Sequence, residues 1–460
     1  MDWPPVSRPD AESPSVRRSR RWPWVLAALA VVLALVAGGT VTWFVTDRMD
    51  PAGRDDRGGP TPLASQSGSP DTAAAVQRHE AITGLLEARS KAILDRDRAA
   101  FLALIDPSAT RFKASQATMF DRMAKVPFDA WEYDYSGEGP ALSEARAARL
   151  PEGAWVARVL VRYTFGGSDS AVERGQFLTL VPAGDGWLLA GDGDGGAEAA
   201  GYLNARDLWE LGPVNVVRGR SSLVIGEATV SALRGYARDA DRSVRDVDAI
   251  WKDDWSRRPI VLVPRTQADM ARVIGADRKG LDQIAAVTTG YSASGPTQGD
   301  RVVVNPAAWR ELGDLGQRVV MTHEVTHLAT RAVTYGSVPI WMSEGFADYV
   351  AYEAVDIPVR VIAEQVLADV RAGNGPQDLP IDSDFDPTST DDIAPAYEGS
   401  WLAAQLIADR YGEQKLVRLY VTLADRDNET ANSTIRTVLG ISENRLVRDW
   451  KAHLKTLARG

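Results

Sequence analysis

Residues Leu315–Ala332, LGQRVVMTHEVTHLATRA, are the stretch that decides how the rest of the chain is interpreted. Their apolar spacing predicts one helix, on which His323 and His327 are four residues apart and therefore share a face. Two imidazoles on one face can bind a single metal ion, and the adjacent carboxylate of Glu324 can accept a proton from water. Chance predicts only about 0.0015 such HExxH patterns in a chain of this composition. The alternative is a pair of surface histidines without a ligand.

A second acidic motif follows in WMSEGFADY, residues 341–349. Glu344 lies 17 residues after His327, across a turn that allows a second helix to pack against the first. A catalytic zinc ion usually has three protein ligands and one open position, so Glu344 is the candidate third ligand. Asp348 lies one helical turn later and is placed to accept a hydrogen bond from the far nitrogen of a ligating histidine. Taken alone, Glu344 would be an ordinary carboxylate at a helix start.

Together these two motifs resemble the gluzincin zinc metallopeptidases, of the aminopeptidase-like and bacterial peptidase type. The resemblance implies a zincin-like domain that binds one Zn²⁺ per chain through His323, His327 and Glu344. It makes Glu324 the general base, and Asp348 matches a carboxylate that supports a zinc ligand.

The resemblance also concerns the group that stabilises the developing oxyanion. Tyr397, in PAYEGSW, resembles the tyrosine that faces the zinc ion in the aminopeptidase-like branch. Its alternative role is packing at the start of a helix, and Tyr349 and Tyr335 are reserve candidates. By the same resemblance, Arg301–Val304 corresponds to the edge strand that pairs with a substrate backbone.

The predicted activity is hydrolysis of peptide bonds in a peptide or protein substrate. No Gly-x-Met-Glu-Asn segment is present to bind a free amino terminus, so an endopeptidase is favoured over an aminopeptidase. Two alternatives stay open. The chain could be a catalytically inactive zincin-fold protein with a binding or scaffolding role at the cell surface, or residues 72–195 could be the main ligand-binding part, with the peptidase as effector.

The chain upstream of the peptidase motifs divides into further units. Residues 72–195 read as helices followed by strands, and they resemble the nuclear transport factor-like, or cystatin-like, α+β cone. Residues 212–460 predict the zincin-like domain, with a small mixed sheet and a helical C-terminal half. Residues 46–71 are rich in Gly, Pro, Ser and Asp and predict a flexible linker.

An apolar segment precedes that linker. Trp24–Val45 contains 22 residues without a charge, which is long enough to span a lipid bilayer. Four arginines flank its N-terminal side, so the positive-inside rule places residues 1–23 in the cytoplasm and the C-terminal domains outside. The predicted fold class is therefore α+β, with a single N-terminal transmembrane helix. A cleaved signal peptide is the alternative, but its apolar part would be shorter.

Composition excludes several other functions. The net charge of −10 opposes binding to nucleic acid, and no nucleic-acid partner is expected. The chain contains no cysteine, which excludes disulfide scaffolds, thiol catalysis and cysteine-ligated metal sites. Only four histidines are present, so any imidazole chemistry must come from them.

Overall fold

The computed structural model describes residues 70–168, 170–195, 206–275, 281–291, 298–334, 338–386, 389–390, 392–425 and 430–460. Within these ranges no helix combines the length and apolar character needed to cross a membrane. The longest, α1 (Pro70–Leu94), is long enough but carries Arg, Glu and Lys along its length. The predicted fold class is therefore corrected: the described residues form an α+β fold in which no helix can span a membrane. The predicted span Trp24–Val45, the tail before it and linker residues 46–69 lie outside the described residues, and the predicted cellular location stays a prediction.

The first unit contains three helices followed by an antiparallel sheet. Helices α1, α2 (Arg98–Ala103) and α3 (Thr110–Met123) precede strands β1 (Phe128–Glu138), β2 (Trp155–Phe165), β3 (Val172–Ala183) and β4 (Gly186–Gly191), and a short helix α4 (Glu144–Ala147) follows β1. The strands pair in chain order. Alternate residues of β2 are buried, which is the period expected of a strand with one covered face. This agrees with the expected order of helices and strands, while the likeness to the nuclear transport factor-like cone stays a prediction.

The second unit begins with a mixed five-stranded sheet. Helix α5 (Leu208–Leu211) leads into β5 (Asn215–Arg218), β6 (Leu223–Gly226), β7 (Ile260–Val263), β8 (Ala286–Tyr291) and β9 (Gln298–Val304), with α6 (Val230–Ile250) and α7 (Gln267–Ile274) between them. The strand order is β5-β6-β7-β9-β8.

This order corrects the prediction that Arg301–Val304 is an edge strand. These residues lie in β9, which pairs in parallel with β7 on one side and antiparallel with β8 on the other. The chain passes through β8 first and returns through β9 on its inner side, so β8 is the edge strand at this end of the sheet, and β5 is at the other end.

The two faces of this sheet have different neighbours. Val224, Val261 and Val302 face α6 and the helix Gly313–Arg331, and they share a core with both helices. Ile225 and Val303 point to the opposite face, in a cluster of buried side chains that continues into the first sheet. The two predicted domains therefore share part of one apolar core, although their boundaries at 72–195 and 212–460 stay a prediction.

The C-terminal half is helical. It comprises α8 (Pro306–Glu311), α9 (Gly313–Arg331), α10 (Ile340–Glu353), α11 (Val359–Ile362), α12 (Glu364–Ala372), α13 (Ala394–Tyr411), α14 (Glu413–Ala424), α15 (Ala431–Leu439) and α16 (Glu443–Arg459). Helix α9 packs against the sheet, α6 and α10, and α10 packs in turn against α13.

A buried ion-pair network joins the two units. Arg174 on β3 donates from Nε to Asp207 Oδ2 at 3.0 Å and from Nη2 to Glu210 Oε1 at 2.7 Å. The arginine and Asp207 side chains are both 9% exposed, and the Tyr163 hydroxyl also donates to Asp207. The buried Arg174 guanidinium thus pairs with two carboxylates, those of Asp207 and Glu210.

We expect Arg174→Met to lower the free energy of unfolding by about 3–5 kcal/mol, because it leaves the buried Asp207 without its cation and Glu210 with only the more distant Arg206, at 3.8 Å. Urea denaturation measures this loss. The control is Arg98→Met, which breaks an ion pair with Asp121 whose side chains are about half exposed. That variant should lose less than about 1 kcal/mol, and equal losses in the two variants would contradict the prediction.

A second buried carboxylate holds the start of α12. Glu398 on α13 accepts hydrogen bonds from the backbone N–H of Val366 at 2.7 Å and of Gln365 at 3.4 Å. Burial raises its pKa from 4.5 to about 8, and these N–H groups only partly offset that effect. The folded protein therefore holds a proton that the unfolded chain releases at lower pH.

Because this pKa is raised on folding, the proton contributes stability below pH 4.5, and that stability is lost as the pH rises towards about 8. Glu398→Gln has no proton to release. Its stability relative to the unmodified protein should therefore increase from about pH 5 to about pH 8.5, as measured by urea denaturation at each pH. Glu311→Gln, at an exposed position of α8, is the control, because Glu311 is not among the charges that act on Glu398. Parallel pH profiles for E398Q and the unmodified protein would contradict this assignment.

Candidate metal centre

Helix α9 places the two motif histidines deep in the protein. Its middle section, including His323 and His327, is buried on all sides between the sheet, α6 and α10. The Nε2 atoms of the two rings are 3.1 Å apart, so both point at one position, as the four-residue spacing requires.

The third member of this group comes from α10. Pro339 precedes that helix, and Glu344 faces α9 from its second turn, with no exposed surface. Its Oε2 atom is 3.2 Å from His323 Nε2 and 3.5 Å from His327 Nε2. The structure therefore brings together the three residues that the sequence predicts as ligands.

The spacing of these three atoms fits a metal ion. Metal–ligand bonds of about 2.0–2.1 Å in tetrahedral geometry separate neighbouring ligand atoms by about 3.3 Å. The observed separations of 3.1, 3.2 and 3.5 Å lie on both sides of that value. His323, His327 and Glu344 thus form a group that could hold a metal ion.

Asp348 fixes the orientation of the first histidine. Its Oδ1 atom is 2.8 Å from His323 Nδ1, and both side chains are almost fully buried. A proton on Nδ1 that is donated to this carboxylate leaves the Nε2 lone pair free to face the cluster. This is the contact that the sequence predicts for Asp348.

The cluster favours positive charge. Burial alone would lower the pKa of His323, but the Asp348 and Glu344 carboxylates outweigh it and raise that pKa. Burial likewise raises the pKa of Glu344, and the two histidines outweigh it and lower that pKa. Carboxylates and imidazoles so arranged hold cationic charge in the interior, as protons or as a metal ion.

Glu324 lies beside this group without joining it. It is 4% exposed, and its Oε2 atom accepts a hydrogen bond of 2.7 Å from the hydroxyl of Thr288 on β8. Sequence reasoning missed Thr288. The available signal was a pair of adjacent threonines in a predicted strand, of which one must face the interior.

Tyr397 reaches the same region from α13. A Cβ atom on Gly345 would lie 2.4 Å from the Ser400 carbonyl oxygen, so only glycine at this position lets α13 approach α10 this closely. The Tyr397 hydroxyl is buried and has no hydrogen-bond partner among the described residues. Burial, and then the charges of Glu344, Asp348 and Glu324, raise its pKa well above the ordinary value.

Of the remaining candidates, the structure describes Tyr349, His79 and His453, and it places each of them away from the cluster. Tyr349 turns away from the cluster and donates to Glu413 at 3.2 Å, and Tyr335 lies outside the described residues. His79 contacts the ring of Tyr135 in the first unit. His453 lies on α16, where burial lowers its pKa.

A comparison with curated proteins finds no match to this chain. A family match exists for the helical half and the last two residues of β9, and it does not extend to the rest of the sheet or to the first unit. Residues 303–456, which carry both histidines, Glu324, Glu344, Asp348 and Tyr397, match the family described as the Peptidase MA superfamily, and this part of the chain is therefore a Peptidase MA superfamily domain.

Proposed function

We propose that the protein is a zinc-dependent endopeptidase of the gluzincin type. The observation that carries this proposal is a buried triangle of His323 Nε2, His327 Nε2 and Glu344 Oε2, with a carboxylate outside it. Three protein donors leave one coordination position open, which is typical of catalytic zinc, whereas structural zinc has four protein ligands. Nitrogen donors with one carboxylate also suit zinc better than magnesium or calcium.

Each residue of the group has a role that follows from its position. Zinc in such a site supplies Lewis acidity, which polarises a carbonyl group and makes water more acidic. Glu324 accepts a proton from the attacking water and passes it to the nitrogen of the leaving amine. The Tyr397 hydroxyl, which has no partner among the described residues, donates a hydrogen bond to the developing oxyanion. Asp348 keeps the His323 ring oriented.

The edge strand supports an endopeptidase. Strand β8 has the sequence AVTTGY and carries no carboxylate that would bind a free amino terminus. An extended peptide segment can pair with the backbone of such a strand at any point along its length. The substrate we propose is therefore an internal, unfolded segment of a protein.

The alternative function is that of a binding or scaffolding protein with an inactive zincin fold. Such a protein has no need of a carboxylate beside the metal position, yet Glu324 is buried there and held by a hydrogen bond. The pairing of a three-donor cluster with this carboxylate favours the peptidase.

We expect Glu324→Gln to bind one zinc ion per chain and to lose peptide hydrolysis by about 10²–10⁴-fold, because the amide cannot accept the proton from water. Zinc content and cleavage of an unfolded protein substrate by the full chain are the two measurements.

Glu311→Gln, at an exposed position at the end of α8, is the matched control and should keep both properties. Glu344→Gln should lose zinc instead. Bound zinc with no turnover in the unmodified protein would favour the scaffold, and absence of zinc would reject the metal centre itself.

We expect Tyr397→Phe to lower kcat by about 10²–10³-fold with little change in KM, because the lost hydrogen bond forms only as the oxyanion develops. The same variant should be at least as stable as the unmodified protein, since it removes a buried hydroxyl that lacks a partner among the described residues. Steady-state kinetics and urea denaturation test the two parts. Tyr411→Phe, at the far end of α13, is the control. A variant with full kcat would reduce Tyr397 to a packing residue.

A further inference from the structure

The edge strand β8 presents a polar residue, Thr288, to the catalytic helix. Val287 pairs with Val303 and Thr288 with Val302, and the N–H of Asn305 donates to the Ala285 carbonyl at 2.8 Å. Backbone hydrogen bonds to the partner strand occur at every second residue of an antiparallel pair. Thr288 is therefore at a position whose backbone N–H and C=O point away from β9, towards the open side of the strand.

The side chain of Thr288 faces α9 and is 2% exposed. Its Oγ1 atom lies 2.7 Å from Glu324 Oε2 and 3.0 Å from the Glu324 backbone oxygen. A hydroxyl has one proton and can donate to only one of these oxygens at a time. The shorter contact is to the carboxylate, and a charged acceptor makes the stronger bond.

The backbone of Thr288 is held by the same helix. Arg331, one turn after His327, donates from Nη1 to the Thr288 carbonyl at 3.2 Å. Its Nη2 atom is 3.2 Å from the buried Asp300 carboxylate on β9. The Thr288 side chain therefore contacts Glu324, which precedes His327 on α9, and the Thr288 carbonyl contacts Arg331, which follows it.

We propose that Thr288 is a positioning residue for Glu324, and that its hydroxyl holds the carboxylate in the orientation needed to accept a proton. This inference rests on the proposed peptidase function. Thr288 lies outside residues 303–456 and therefore outside the segment that matches the family. Through Thr288, the strand along which a peptide would lie also sets the position of the base, so substrate and base share one rigid element.

The test compares three variants of the full chain. Thr288→Val keeps the shape of the side chain and removes the hydroxyl, and Thr288→Ser restores the hydroxyl. Thr289→Val is the matched control, because the side chain of Thr289 points to the opposite face of the same strand.

We expect T288V to lower kcat by about 10–100-fold, with KM within about 2-fold and one zinc ion per chain, because the base is displaced while substrate and metal sites persist. T288S should return kcat to within about 3-fold, and T289V should match the unmodified protein. Normal kcat in T288V, failure of T288S to restore it, or a change confined to KM would overturn the proposal. Should T288V not fold, Thr288→Ala replaces it in the same comparison.

Crystal structures of T288V and T288S separate this inference from the proposed function. The Glu324 carboxylate should leave its position in T288V and keep it in T288S, whether or not the protein shows turnover. An unmoved carboxylate in T288V would overturn the positioning role even in an active enzyme. If the Glu324 carboxylate is displaced in T288V and the unmodified protein shows no turnover, the positioning role is supported and the peptidase function is rejected.

Discussion

The close approach of two imidazole nitrogens, 3.1 Å apart in the protein interior, constrains everything around them. A polar group that is buried without a hydrogen-bond partner costs several kcal/mol, so the elements packed around the two rings must supply partners for them. Helix α10 supplies the Glu344 and Asp348 carboxylates, which face the two rings. The packing of α9 against α10 is therefore specified by polar contacts as much as by the apolar side chains on either side.

The same requirement explains why the site uses residues from distant parts of the chain. Glu324 lies beside the triangle, and the hydroxyl that donates to its carboxylate comes from Thr288 on β8, 36 residues earlier. Tyr397 enters from α13, which can approach only because Gly345 leaves room for the Ser400 backbone. The mixed sheet and the helical half are thus joined at the candidate metal centre. Loss of either support would leave buried charge or an enlarged space beside the histidines.

The sequence predicted the local part of this arrangement. The helix predicted at Leu315–Ala332 forms as Gly313–Arg331, and residues four apart on it meet as helical geometry requires. The Glu344 and Asp348 contacts follow from the same periodicity on the next helix. Strands β8 and β9 were also predicted as segments, but their order was not. The strands that flank a given strand depend on the path by which the chain returns to the sheet, and the hydrophobic pattern of a strand does not specify that path.

Thr288 shows why part of the site escapes sequence reasoning. On its strand it is one threonine next to another, and only the pairing register decides which of the two faces the helix. The register is set by residues on β9, and it places Thr288 inward and Thr289 on the opposite face. Sequence motifs therefore identify the groups that we propose to bind metal and move protons, because these groups are close together on helices. Asp348, which orients His323, lies on a helix and follows the same period, whereas Thr288 comes from the sheet, and its identity depends on a three-dimensional pairing. A search for such positioning residues should accordingly begin from buried polar side chains on the strand nearest the catalytic helix.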